Sequence, residues 1–129
     1  MSKFGIRALT DTLRLELAPA GIGVVLIEPG AVATPIWRRG KDASAELLAR
    51  APAAAAALYS DQIRKVTQGA DRAARTGLDP SRVADVILTA LASARPRPRY
   101  LVGIDAKAAG AITYLPDRIR YPLLARQLG

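Results

Sequence analysis

Neither cysteine nor histidine occurs in these 129 residues. Their absence removes disulfides, thiolate metal centres, His-ligated zinc and every nucleophile or base pair built on Cys or His. Metal chemistry would fall to carboxylates alone. The 11 Asp and Glu residues are scattered and form no D-x-D loop, so no metal site is expected. Aromatic residues are also scarce, with one Trp, four Tyr and one Phe to stack on bases. The formal charge of +8 would suit a polyanion, but fifteen of the 19 basic residues are arginines spread as singles and short pairs such as Arg38-Arg39. Without a dense basic stripe, nucleic-acid binding is not expected. No apolar run approaches the roughly 20 residues that cross a bilayer. The first residues are polar rather than a basic start followed by an apolar core, so a cytoplasmic protein is expected.

What is present alternates between helix and strand. Ile6, Leu9, Leu13 and Leu17 recur at three- and four-residue spacing, which predicts an amphipathic helix over Ser2 to Ala18, stopped by Pro19 and Gly21. The unbroken apolar run Gly23 to Ile27 predicts a strand covered on both faces, as in a parallel sheet, ended by Pro29-Gly30. Residues 31–42 are expected to form a loop, followed by an Ala-rich helix from Pro52 to about Gln68. Asp79-Pro80 opens a further helix that carries Val83, Val86, Ile87 and Leu91 on one face. The alternating Arg and Pro of residues 95–99 make an exposed extended connection into a second short strand, Tyr100 to Gly103. The tail from Asp105 is expected to be helical and broken near Pro116 and Pro122.

This layout poses a packing problem. A strand buried on both faces needs helices above and below it and partner strands at its edges. Two strands separated by more than seventy, mainly helical, residues do not make a stable sheet by themselves. Either more chain or another chain is expected to complete the structure.

The run Ser2-Lys3-Phe4-Gly5, Leu9-Thr10-Asp11, Leu13-Arg14, Glu16-Leu17, Gly21-Ile22, Ile27-Glu28-Pro29-Gly30 and Thr34-Pro35 resembles the short-chain dehydrogenase/reductase family. The similarity spans the end of that family's Tyr-x-x-x-Lys motif, the next strand and its Pro-Gly loop. It continues in the Asp79-Pro80 helix and in Arg99-Tyr100-Leu101-Val102-Gly103, which resemble members acting on retinol, steroids and similar lipophilic alcohols. No single dipeptide is specific; the combined order and spacing carry the resemblance. It implies an α/β fold, the C-terminal part of a partial Rossmann-like doubly wound parallel sheet with about two strands plus helices. Residues 1–36 would hold the catalytic helix, strand and Pro-Gly loop. Residues 37–78 would be substrate-pocket helices, and residues 79–129 the last helix, strand and tail.

The resemblance also implies chemistry. In the family a tyrosine four residues before the lysine exchanges the proton of an alcohol–carbonyl interconversion. The lysine holds the nicotinamide ribose and favours the phenolate by its charge. Lys3 matches that lysine, while the position of the tyrosine falls two residues before Met1. The carbonyl-polarising serine and the Gly-rich dinucleotide turn are not in these residues either. Pro29, Gly30, Val32 and Thr34 match the loop that contacts the nicotinamide carboxamide, and Ile36 and Trp37 would line the substrate pocket. The expected cofactor is NAD or NADP, which this chain alone is not expected to hold. The expected partners are a small-molecule alcohol or carbonyl substrate and, through the first helix, a second copy. Asp11 and Glu16 are read as solvated helix charges. Tyr59, Tyr100, Tyr114 and Tyr121 lack a lysine four residues later and are read as packing residues.

Helix 2–18 has no capping box and no preceding turn, as if cut from a longer helix. Met1 is therefore expected to be an internal position of a longer reading frame, whose upstream codons supply the tyrosine, serine and Gly-rich turn. A product confined to residues 1–129 is expected to be inactive; the alternative role is a non-enzymatic fragment that completes another subunit.

Overall fold

The computed structural model describes the backbone of residues 3–128 and the side chains of residues 4–125. Helix α1 runs over Lys3–Leu17. Pro19 tightens the exit into a 3-10 turn at Ala18–Ala20, closed by Gly21 at φ 70 with its N–H on the Ala18 carbonyl. Only glycine takes that left-handed conformation without Cβ strain. Strand β1 follows at Leu26–Pro29, then α2 at Ile36–Arg50, α3 at Ala53–Thr76 and α4 at Pro80–Ala92. Strand β2 spans Arg99–Val102, α5 Ile104–Ile112 and α6 Asp117–Leu128.

The two strands pair in parallel, with Leu26 opposite Arg99 and Pro29 opposite Val102. Helix α4 packs against both strands and α5 against β2. The fold is therefore α/β, mostly helical around a small parallel sheet, as part of a Rossmann-like doubly wound domain is. Asp79 caps α4 by accepting the Ser81 N–H at 2.8 Å. Hydrogen bonding from the Ser81 side chain and backbone holds its carboxyl below the ordinary value of 3.8. Lys41 on α2 pairs with Asp71 on α3 at 2.6 Å and ties the hairpin of these two helices near its base.

Four expectations are corrected. The ladder begins at Leu26, not Gly23, because the chain opposite Val24 and Val25 cannot donate to it. Pro98 has no N–H, and the Arg97 N–H is taken by the Tyr100 hydroxyl at 3.0 Å. Arg14 fills the gap, donating Nε to the Val24 carbonyl at 3.0 Å and Nη2 to the Pro98 carbonyl at 2.8 Å. The loop expected over residues 31–42 ends at Pro35, whose backbone already lies in the helical region and starts α2. The Ala-rich helix continues to Thr76, since one interior glycine, Gly69, costs only about 1 kcal/mol and Ala70, Ala73 and Ala74 carry it on. Helix α6 runs through Pro122, at the cost of the bond that its missing N–H would give Arg118.

The double coverage expected of β1 is not reached either. Leu26 to Glu28 are only half-buried, and each strand keeps one unpaired edge among the described residues. Among the described residues the buried apolar side chains are few and small: Ala73, Ala90, Ala106 and Val102. The accessible surface is 10096 Å², against about 6,500 Å² for a compact folded monomer of this mass. Much of the excess is apolar: Phe4 and Leu15 on α1 and Leu88 and Leu91 on α4 face solvent. A groove of about 510 Å³, lined by Val25, Ile27, Ile87 and Leu91, lies open between β1 and α4.

Candidate functional site

The segment that leaves β1 is held by several hydrogen bonds. The Gly30 N–H donates to the Val102 carbonyl at 3.0 Å and extends the ladder by one bond. The next residues pair with the chain just before α4: the Leu78 N–H donates to Ala31 and the Ala33 N–H to Leu78, both at 2.8 Å. Between them, the Val32 carbonyl accepts the Trp37 indole N–H at 2.7 Å. The Ala31 N–H goes to a carboxylate oxygen of Asp105, at the start of α5, at 2.6 Å.

One backbone donor in this segment is left over. In a parallel bridge the central residue turns its own N–H and C=O away from the partner strand. The Val32 carbonyl has Trp37, whereas the Val32 N–H makes no hydrogen bond among the described residues. Nor does the Thr34 hydroxyl, half-buried two residues on. The two donors stand at the carboxyl end of a parallel strand, where open α/β sheets take their ligands. A carboxamide oxygen and a neighbouring polar group suit that pair, so these residues fit a nicotinamide.

The structure brings Pro29, at the end of β1, together with Gly30, Val32 and Thr34 on this loop, and puts Ile36 and Trp37 on the first turn of α2. Lys3 is the first described residue of α1; its side chain lies outside the described residues. Ile36 is two-thirds exposed. Trp37 is half-buried with its indole bonded back to the loop. The apolar groove of α2 and α3, about 460 Å³ and lined by Leu47, Leu48, Tyr59, Ile63 and Val66, lies further along the hairpin than either. Of the tyrosines read as packing residues, only Tyr100 is half-buried; Tyr59, Tyr114 and Tyr121 are exposed in this chain. Among the described residues no cluster of acidic side chains is placed to hold a metal, and no helix is long and apolar enough to cross a membrane.

The sequence reading missed Asp105 and Leu78. The signal for Asp105 was local: an aspartate in the first turn of a helix, two residues beyond a strand-ending glycine. Nothing local marks Leu78, whose part is played by its backbone.

Fold and loop together define part of a Rossmann-like α/β domain. Residues 1–45 match the family model described as short chain dehydrogenase. Over 125 residues the chain is 34% identical to Retinol dehydrogenase 5 of Mus musculus, covering 92% of this chain and 39% of that protein. It is 31% identical over 119 residues to the NADPH-dependent 3-dehydrocapnine reductase of Ornithobacterium rhinotracheale, covering 92% and 40%. A third relative, Short-chain dehydrogenase/reductase family 9C member 7 of Bos taurus, is 34% identical over 122 residues, covering 90% and 37%. The chain belongs to the short-chain dehydrogenase/reductase family and spans about two-fifths of the length of these relatives.

Proposed function

We propose that these residues supply the loop side of the cofactor site in an NAD(P)-dependent oxidoreductase that interconverts an alcohol and a carbonyl in a lipophilic substrate. The observation that carries this reading is the Val32 N–H, unpartnered yet fixed in direction by the bonds of Ala31, Ala33 and Trp37 on either side of it. A donor held in this way takes a carboxamide oxygen without reorganising. Gly30 and Pro29 turn the chain over the nicotinamide face, Thr34 adds a second donor, and Lys3 holds the ribose. The bound nicotinamide supplies hydride transfer, and the protein orients it. The apolar groove of α2 and α3, together with relatives named for retinol, supports a lipophilic substrate.

The proton-transferring tyrosine, the serine and the Gly-rich turn have no counterpart among these 129 residues. Activity therefore requires a further segment that carries them. The test compares the 129-residue chain with the chain joined to such a segment, here called the completed protein. Each is titrated with NAD and NADP and assayed for turnover with retinol, followed by nicotinamide absorbance. The completed protein should turn over with one cofactor and the chain alone with neither. A completed protein that binds neither cofactor overturns the reading, and turnover by the chain alone overturns the need for the added segment.

A non-enzymatic role has one observation in its favour, the uncovered apolar surface of α1 and α4. In that role the chain would complete another dehydrogenase subunit and perform no chemistry itself.

A further inference from the structure

Asp105 joins two parts of the chain that the cofactor loop depends on. One carboxylate oxygen accepts the N–H of Ala106, within its own helix, at 2.9 Å. The other accepts the N–H of Ala31, 74 residues earlier, at 2.6 Å. A contact local to the first turn of α5 accounts for only the first of these bonds. The second holds the Gly30–Ala31 peptide, the neighbour of the one that carries the free Val32 N–H, whose own carbonyl is held by the Leu78 N–H; together the two bonds set the direction of that donor.

Two glycines make room for this contact. A methyl carbon added to Gly30 would lie 1.9 Å from the nearer Asp105 oxygen, well inside contact distance. Positive φ among the described glycines belongs to Gly21 and Gly103, so the backbone at residue 30 would accept any L-residue. What demands glycine at position 30 is the carboxylate. At Gly103, φ 104 turns the chain out of β2 into α5, and a Cβ there would also meet Asp105, at 2.6 Å.

We infer that Asp105 is a positioning residue for the cofactor: it sets the Pro29 to Thr34 loop, and its carboxylate is the reason residue 30 is glycine. This inference rests on the proposed NAD(P) reading. Both carboxylate oxygens accept from backbone donors, so Asp105→Asn can satisfy only one of them. Its amide nitrogen must face the other N–H, donor against donor. Asp105→Glu carries the carboxylate one methylene too far to keep both bonds.

The test is made on the completed protein with steady-state kinetics and melting curves. Asp105→Asn should raise the cofactor KM about tenfold or more, as loss of a charge-assisted bond does. The KM for retinol and kcat should stay within about twofold, because the loop acts on cofactor binding. Gly30→Ala should raise the cofactor KM in the same way, because its methyl displaces the carboxylate. Gly30→Ala with Asp105→Ala should then be no worse than Asp105→Ala alone. The inference is overturned if Asp105→Asn leaves the cofactor KM unchanged. Equal effects on both KM values with a lowered Tm would reduce Asp105 to a contact that only holds the fold, and multiplying effects of the two alanine changes would separate Gly30 from Asp105. A parent protein without cofactor-dependent turnover overturns the proposed function, and this inference with it.

Discussion

The Trp37 indole N–H reaches back across the first turn of α2 to the Val32 carbonyl, 2.7 Å away. The bond turns the one tryptophan of the chain into a brace for the loop that precedes it. It also means that the peptide groups on both sides of the free Val32 N–H are held from outside the loop, by Trp37 on α2 and by Asp105 on α5.

Trp37→Phe keeps the ring and removes the N–H. In the completed protein it should raise the cofactor KM by about two- to tenfold, the usual net worth of one neutral hydrogen bond. Quenching of Trp37 fluorescence by added NAD or NADP gives an independent reading in the parent protein. An unchanged KM would show that the loop keeps its shape without the brace.

Lys3→Met should cost more activity than Thr34→Ala. Lys3 would act on both ribose position and tyrosine ionisation, so its loss should lower the rate by about a hundredfold or more. The same change should move the pH–rate profile upward, because the phenolate loses a neighbouring cation. Thr34→Ala should lower cofactor affinity about tenfold or less, since Val32 still donates. A near-normal rate with an unmoved profile would take Lys3 out of the mechanism.

The 129-residue chain by itself should associate or aggregate. Leu15 on α1 and Leu91 on α4 are 77% and 76% exposed, and both strands keep an open edge among the described residues. Sedimentation and calorimetry decide the matter: a monomer with one sharp cooperative melt would show that the surface needs no cover.

Asp79→Ala should remove an acid-sensitive contribution to α4. The folded carboxyl lies below its ordinary value of 3.8 because Ser81 hydrogen-bonds the charged form. Its stabilisation is therefore complete above that ordinary value and is lost as pH falls through the lower folded one. Melting curves of the completed protein across that range should show the parent converging on Asp79→Ala as acid is added. A constant gap would refute the cap's dependence on charge.

Helices were the legible part of the fold, because spacing and caps are local. Asp79-Pro80 placed the start of α4, and Ile6 to Leu17 placed α1. The start of β1 was not legible from Gly23 to Ile27, since it depends on Pro98 and Arg97 across the sheet. Pro122 misled for a related reason: a proline shows which donor is missing, not whether the surroundings tolerate the loss. At the site, the family spacing brought out Gly30, Val32 and Thr34. The residues that fix them stand far along the chain: Asp105 acts through its carboxylate on the Ala31 N–H, and Leu78 through backbone groups that no side-chain pattern records.

The short bridge between Val32 and Leu78 bears on the order of folding. Unaided, β1 must find β2 across the whole of residues 30–98, a long closure with a matching loss of chain entropy. The α2 and α3 hairpin forms from neighbouring sequence, and the bridge then ties off both of its ends. Once it is tied, the detour from β1 to β2 shrinks to the span of α4 and the extended segment after it. A chain folding in this order replaces one distant search with two shorter ones, so changes that loosen the bridge should slow sheet formation more than they weaken the finished fold.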